Sequence, residues 1–246
     1  HGSHDALPEL PAWADEGNTW APSVVMIERR WVMYYSARVA GTTTQCIGVA
    51  TSEDLGGVFT PALGHPLVCQ GALGGSIDAS VFTENGDHVL LWKNDGNCCG
   101  IPTNIFASNL TPDGLGLVDQ PETLIRASED WEGGIVEGPA MVRAGDRYHL
   151  FYSANWWAGA DYSIGHAVCA SPLGPCVRSS ADPWRASEGG LLGPGGPETF
   201  VGPIGVLGDR RHAVVGEDGG ALSARRHSAL LGFGARHDVR EVPTVE

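Results

Sequence analysis

Val136-Glu137-Gly138-Pro139-Ala140-Met141-Val142, then a Gly145-Asp146 turn, then Tyr148-His149-Leu150-Phe151-Tyr152-Ser153, places a carboxylate at the mouth of one apolar strand and an aromatic-rich strand behind it. The unit recurs. It stands earlier as Ile77-Asp78-Ala79-Ser80-Val81-Phe82, the turn Asn85-Gly86-Asp87 and His88-Val89-Leu90-Leu91-Trp92, and earlier still as Trp20-Ala21-Pro22-Ser23-Val24-Val25, the turn Glu28-Arg29-Arg30 and Trp31-Val32-Met33-Tyr34-Tyr35-Ser36. The aligned positions Trp31, His88 and Tyr148 are 57 and 60 residues apart, since 88 − 31 = 57 and 148 − 88 = 60. A repeat of that length built only of strands is the signature of a propeller.

Each repeat continues into a third strand. These are Gln45-Cys46-Ile47-Gly48-Val49-Ala50, Thr103-Asn104-Ile105-Phe106-Ala107-Ser108 and Tyr162-Ser163-Ile164-Gly165-His166-Ala167-Val168, each with room for a fourth strand at its outer edge. A degraded fourth repeat offers Glu198-Thr199-Phe200-Val201 as its inner strand, Arg211-His212-Ala213-Val214-Val215 as its second and Ala229-Leu230-Leu231-Gly232-Phe233 as a later one. Residues 5–19 are Pro-rich and acidic without a strand period, and read as a surface loop. His1-Gly2-Ser3-His4 reads as a tag remnant. Residues 5–246 are then one all-β domain, with repeats at about 20–70, 74–125 and 131–190 and the degraded one at 195–240.

Composition agrees with many short strands joined by tight turns: 35 Gly and 16 Pro are spread between runs of Val, Ile, Phe, Tyr and Trp. A formal charge of −14 repels phosphate backbones and anionic lipid, so neither nucleic acid nor membrane is an expected partner. No apolar run approaches the length that crosses a bilayer.

Taken together, Trp20-Ala21-Pro22-Ser23-Val24, Ile77-Asp78-Ala79-Ser80-Val81-Phe82, Trp131-Glu132-Gly133-Gly134-Ile135-Val136-Glu137-Gly138-Pro139 and Tyr152-Ser153-Ala154-Asn155 resemble successive blades of glycoside hydrolase family 43. The resemblance covers about residues 5–200 and implies a five-bladed β-propeller of the β-xylosidase and α-L-arabinofuranosidase type, here truncated to about four blades. It implies an inverting hydrolase of arabinose- or xylose-containing plant polysaccharides and oligosaccharides, with Glu137 as general acid and Asp78 as the carboxylate that orients it and adjusts its pKa. The family's general base is an Asp of the first blade, which this chain lacks, so weak or absent turnover is expected unless Glu198, Asp15 or Glu16 substitutes. Two alternatives stay open: a non-catalytic glycan-binding propeller, and a truncated pseudoenzyme stabilised by oligomerisation.

The chemistry accounts for carboxylates at those positions. Inner strands of a propeller converge on its axis, and inversion needs an acid on the leaving oxygen and a base on water, with carboxyls roughly 6.5–9.5 Å apart. A second carboxylate near the acid disfavours its ionisation. Trp20, Trp131 and Trp156, with Trp157, are candidate sugar platforms, though aromatics packed between blades are as common. His166 reads as an ordinary packed or surface histidine. Gly193-Pro194-Gly195-Gly196-Pro197 offers no histidine where the family holds an axial cation, so no metal and no cofactor are expected. Cys169 and Cys176 flank a turn they would close, while adjacent Cys98 and Cys99 are expected to need Cys46 or Cys69 as partner. Loss of a blade exposes apolar flanks, which a homodimer would cover.

Overall fold

The computed structural model describes residues 5–201, 206–208, 230–233 and 239–241, with side chains through residue 199. The described residues form sixteen strands in four antiparallel four-stranded sheets, each a meander in chain order. The chain divides into two compact units, residues 1–126 and 127–246. The first holds β1 (Ala14–Ile27), β2 (Arg30–Val39), β3 (Gln45–Ser52) and β4 (Thr60–Pro61), then β5 (Ser76–Glu84), β6 (Asp87–Asn94), β7 (Asn104–Asn109) and β8 (Glu122–Arg126). The second holds β9 (Val136–Ala144), β10 (Arg147–Ala154), β11 (Ser163–Cys169) and β12 (Cys176–Arg178), then β13 (Phe200–Val201), β14 (Val206–Gly208), β15 (Leu230–Phe233) and β16 (Val239–Glu241). The fourth strand for which each repeat leaves room is present in all three well-marked repeats. Phe200–Val201 and Leu230–Phe233 fall inside the strands expected of the degraded repeat, and residues 211–215 lie outside the described residues.

The repeat register is visible in the hairpins. Ile27 pairs with Arg30, Glu84 with Asp87 and Ala144 with Arg147, so Trp31, His88 and Tyr148 are each the second residue after a two-residue turn. Such turns call for positive φ, supplied by Glu28 and Arg29, by Asn85 and Gly86, and by Gly145.

Strand β2 is buried on both faces, and its period of two separates them. Val32 and Tyr34 join Ile27, Ile47 and Val49 in a core that takes in Ala79, Leu90, Trp92, Phe106 and Leu110 of the neighbouring sheet. Fully burying each such aliphatic side chain contributes about 1.5–3 kcal/mol. The Tyr34 hydroxyl adds a tie by donating to the Gly114 carbonyl at 2.8 Å. Met33, Tyr35 and Ala37 face the other way, where Ala50 and Phe59 join them and Leu7, Leu10 and Trp13 cover them. The flank of this sheet is therefore covered by the chain's own preceding segment.

Two expectations need correction. Residues 14–19 are strand, because β1 runs on past Trp20 beside the end of β2; the register slips between Ala14↔Val39 and Thr19↔Ala37, and a slipped register shows no period in sequence. Cys98 pairs with Cys99 within the 3-10 turn Gly96–Cys99, and Cys46 pairs with Cys69. Cys169 and Cys176 are bonded as expected, across a register pair of β11 and β12.

His166 is buried on the third sheet, stacked on Phe151 with ring centroids 4.7 Å apart. His149 Nδ1 lies 2.9 Å from its Nε2, and Ser179 Oγ lies 2.9 Å from its Nδ1. Ser179 Oγ also donates to the His166 carbonyl, so a consistent proton order has Nδ1–H of His166 donating to Ser179 and Nδ1–H of His149 donating to His166. Burial, then the neighbouring His149, pull His166 down to about 4, and burial lowers His149 as well. Folded His166 thus stays neutral down to about 4, while an unfolded histidine takes up a proton near 6.5. The stabilisation is full above that value and is lost as pH falls from 6.5 towards 4. Between pH 7 and pH 5 the second unit is expected to lose about 2 kcal/mol in urea unfolding. His166→Gln should flatten that slope; an unchanged slope would contradict the assignment.

Candidate active site

The three inner strands share one irregularity. Register slips between Trp20↔Ser36 and Ser23↔Tyr34, between Ile77↔Lys93 and Ser80↔Leu91, and between Glu137↔Ser153 and Ala140↔Phe151. At each bulge one residue takes a left-handed backbone: Ala21 at φ 46°, Asp78 at 58° and Gly138 at 54°. Each lies ten residues before the aligned Trp31, His88 or Tyr148. The two carboxylates thus differ in rank within the repeat: Asp78 matches Ala21 and Gly138, while Glu137 matches Trp20 and Ile77. An Asp held at positive φ carries strain of order 1–3 kcal/mol, which clusters at functional sites.

Opposite each bulge stands a buried aromatic of the second strand: Tyr35, Trp92 and Tyr152. Tyr35 and Tyr152 lie flat on Gly48 and Gly165 of the third strand, where any Cβ would overlap the ring. Trp92 meets Phe106 there, stacked at 5.9 Å. This layer sets the floor under the bulge and so fixes where the inner-strand residues emerge.

Asp78 is half-buried, and its N–H donates to Ser36 Oγ at 3.3 Å, which ties the bulge of the second sheet to β2 of the first. Glu137 is 9% exposed. Its Oε1 accepts a 2.6 Å hydrogen bond from the Tyr162 hydroxyl. Tyr162 in turn lies against Gly195, where a Cβ would run into its ring, and Gly196 N–H donates to Ser153 Oγ at 2.8 Å, Ser153 being the register partner of Glu137. The glycine-rich run is therefore the wall that presses Tyr162 onto Glu137.

The approach to Glu137 is fixed by Glu132, which is fully buried. Its Oε2 accepts from the N–H groups of Ser128 and Glu129 at 2.8 and 3.1 Å, capping the short 3-10 turn Asp130–Glu132. Arg178 grips both oxygens, with Nε on Oε1 and Nη2 on Oε2 at 2.9 Å each, and Tyr152 donates to Oε1 at 2.9 Å. Desolvation and the Glu132 carboxylate push the Tyr152 phenol well up, so it stays a donor.

Trp131 is half-buried, stacked on Tyr152 at 6.4 Å with its indole N–H donating to the Ala181 carbonyl. Asn155, at φ 76°, donates from Nδ2 to the Trp131 carbonyl and turns the chain so that Trp156 and Trp157 stand exposed, 52% and 42%, their rings 6.0 Å apart. Trp20 is also open, at 46%. Of the candidate platforms, Trp20 and Trp156 are exposed and Trp131 is half-buried. Asp15 is engaged, accepting from Gly41 N–H at 3.0 Å and lying 3.7 Å from Arg38. Glu16 and Glu198 are exposed. Among the described residues no three His, Cys, Asp or Glu side chains converge as a metal set. Tyr162 and Arg178 carry no signal in the sequence; Glu132 stands inside a quoted motif without a role that its letters reveal.

Two curated proteins are similar over most of this chain. A probable arabinan endo-1,5-alpha-L-arabinosidase A of Aspergillus flavus is 25% identical over 211 residues, covering 75% of this chain and 61% of that protein. An extracellular exo-alpha-(1->5)-L-arabinofuranosidase of Streptomyces avermitilis is 24% identical over 207 residues, covering 76% of this chain and 42% of that protein. The chain thus spans about three-fifths or less of the length of these relatives. The crystal structure of a thermostable family-43 glycoside hydrolase superposes with a TM-score of 0.75 at 27% identity, over 92% of this chain and 75% of that one. The four-stranded meanders thus have a solved counterpart. The model of glycosyl hydrolases family 43 matches residues 3–206, running through all three bulged sheets, and to that family the chain belongs.

Proposed function

We propose that this chain hydrolyses glycosidic bonds of arabinose- or xylose-containing polysaccharides, with Glu137 as the general acid. The observation that carries the proposal is the setting of Glu137: a carboxylate at an inner-strand bulge, nearly buried, with one oxygen held at 2.6 Å by Tyr162 and the other side of its backbone braced by Ser153 and Gly196. A general acid needs a fixed direction of proton delivery, and such a clamp supplies it. Asp78 is assigned the supporting carboxylate, on the family resemblance and on its strained place in the second sheet. The names of both curated relatives carry an α-1,5 linkage to L-arabinose, so α-1,5-linked arabinose is the first substrate to test.

In the reaction the proton on Glu137 passes to the leaving glycosidic oxygen as the bond to the anomeric carbon breaks, and water adds to the opposite face. Exposed Glu16 and Glu198 are the residues to test for activating that water. The deciding experiment is an activity screen on paired aryl α-L-arabinofuranoside and β-D-xyloside. Release of aryl alcohol from the arabinofuranoside is the expected result. Binding of arabino-oligosaccharide without release of product from either glycoside would overturn the hydrolase reading and leave a glycan-binding propeller.

A further inference from the structure

The segment that leads into Asp78 is held by a turn of its own sheet. It makes a short 3-10 turn at Gly71–Leu73 and passes through Gly74 and Gly75 into β5. The connection between β6 and β7 holds three consecutive residues of it. Asn94 Nδ2 donates to the Leu73 carbonyl at 3.0 Å, Cys98 Sγ lies 3.8 Å from the Gly74 carbonyl oxygen, and the Asp95 N–H donates to the Gly75 carbonyl at 3.1 Å. The fit is close as well, since a Cβ on Gly74 would run into the Asp95 carbonyl and one on Gly75 into the Gln45 carbonyl. Asp78, at the left-handed position of the bulge, follows three residues after Gly75.

The connection is itself fixed from both sides. Lys93, fully buried, donates from Nζ to Asn97 Oδ1 at 2.8 Å, and the Ile101 N–H donates to the Gly96 carbonyl at 2.9 Å. Between them stands the Cys98–Cys99 bond. A disulfide stabilises a fold mainly by constraining the unfolded chain, and more so for a longer loop. The sequence separation is 23 for Cys46–Cys69, 7 for Cys169–Cys176 and 1 for Cys98–Cys99. A bond between neighbours therefore adds little global stability and acts on the local backbone. It is also the most open of the three. Cys98 and Cys99 are both exposed, whereas each other pair includes a fully buried cysteine, Cys46 or Cys169. Access to sulfur governs exchange with a thiol.

We infer that the Cys98–Cys99 bond is a reducible latch on the segment that carries Asp78. The reductant it takes is a dithiol. One thiolate attacks a sulfur of the pair, forming a mixed disulfide and releasing the other cysteine as a thiol; the second thiol of the reagent then displaces the first cysteine. Two cysteine thiols and a cyclic disulfide result, with two electrons and two protons transferred. Without the bond, Cys98 is released from Gly74 and the turn loses its grip on Gly75. An excess of the oxidised reagent reverses the exchange, because adjacent thiols re-form their bond without movement of the chain. The link to turnover rests on the function proposed above; the latch on the backbone does not.

The test is graded reduction of the intact protein with dithiothreitol, followed by alkylation and peptide mapping, with amide hydrogen exchange read on the same samples. Label should reach Cys98 and Cys99 first, with the melting temperature unchanged. In that state the Asp95 and Gly75 amides should exchange about tenfold faster, while the Ile135 amide, in the approach to Glu137, keeps its rate. Turnover of an aryl α-L-arabinofuranoside should fall about tenfold and return on reoxidation. The double variant Cys98→Ser with Cys99→Ser should show the fast exchange without dithiol. Label that reaches another pair first, or exchange at Asp95 and Gly75 that does not change once Cys98 and Cys99 are labelled, would overturn the latch. Faster exchange in a protein that releases no aryl alcohol in either redox state would support the latch and reject the hydrolase reading.

Discussion

Glu137→Gln is expected to lower turnover of arabinan or xylan oligosaccharides by 10²-fold or more, the scale of general acid catalysis. The substitution keeps the shape of the side chain and an oxygen for the Tyr162 hydroxyl to reach, so the fold should be unaffected. What it removes is the proton that the departing sugar oxygen must receive. Tyr162, which touches Glu137, points its own hydrogen at Oε1. Tyr162→Phe should cost far less, about tenfold, because it loosens the carboxyl without removing the proton. A Glu137→Gln enzyme with undiminished turnover on oligosaccharide would exclude Glu137 as the acid.

The largest stability effect is expected at Glu132. Its carboxylate is fully buried and satisfies two backbone N–H groups, the Tyr152 hydroxyl and both forks of Arg178. Glu132→Ala removes the buried carboxylate that Arg178 grips, and breaking a buried pair on one side costs about 3–5 kcal/mol. The 3-10 turn loses its cap at the same stroke, which adds about 1 kcal/mol. Urea unfolding should therefore show a large drop in midpoint. The double variant Glu132→Gln with Arg178→Met keeps an acceptor for Tyr152 and discards both charges, so it should lose less than Glu132→Ala alone. Equal losses in the two would show that the stranded charge is not the cause. Glu132 also stands five residues before Glu137, and Glu132→Ala should reduce turnover as well, through the approach segment it holds.

The fold was legible because its signals are local. Apolar and aromatic runs, two-residue turns and a spacing near sixty residues all lie in consecutive letters, and Trp31, His88 and Tyr148 do occupy one structural rank. Fourth strands were visible only as room, since Thr60–Pro61 and Cys176–Arg178 are too short to carry a period. Residues 14–19 were misread for a related reason: their pairing with β2 slips register, and a slip erases alternation.

The site was legible only where a motif names its residue. Glu137 and Asp78 stand in quoted motifs, and the bulges show that they differ by one position within the repeat. Tyr162 and Arg178 reach their carboxylates across 25 and 46 residues, and no pattern in sequence marks such a pairing. Cys98 and Cys99 show the reverse error: their adjacency argued against a bond that the 3-10 turn accommodates.

The most direct test of Glu137 as the proton donor is a leaving-group series. Aryl α-L-arabinofuranosides of decreasing phenol acidity would be compared between the parent protein and Glu137→Gln, reading kcat/KM for each. A phenol that leaves readily as its anion needs no acid, while a poor leaving group depends on one. The account predicts a loss that is small for the most acidic phenol and grows to 10²-fold or more for the least acidic. A loss of the same size across the whole series would contradict it.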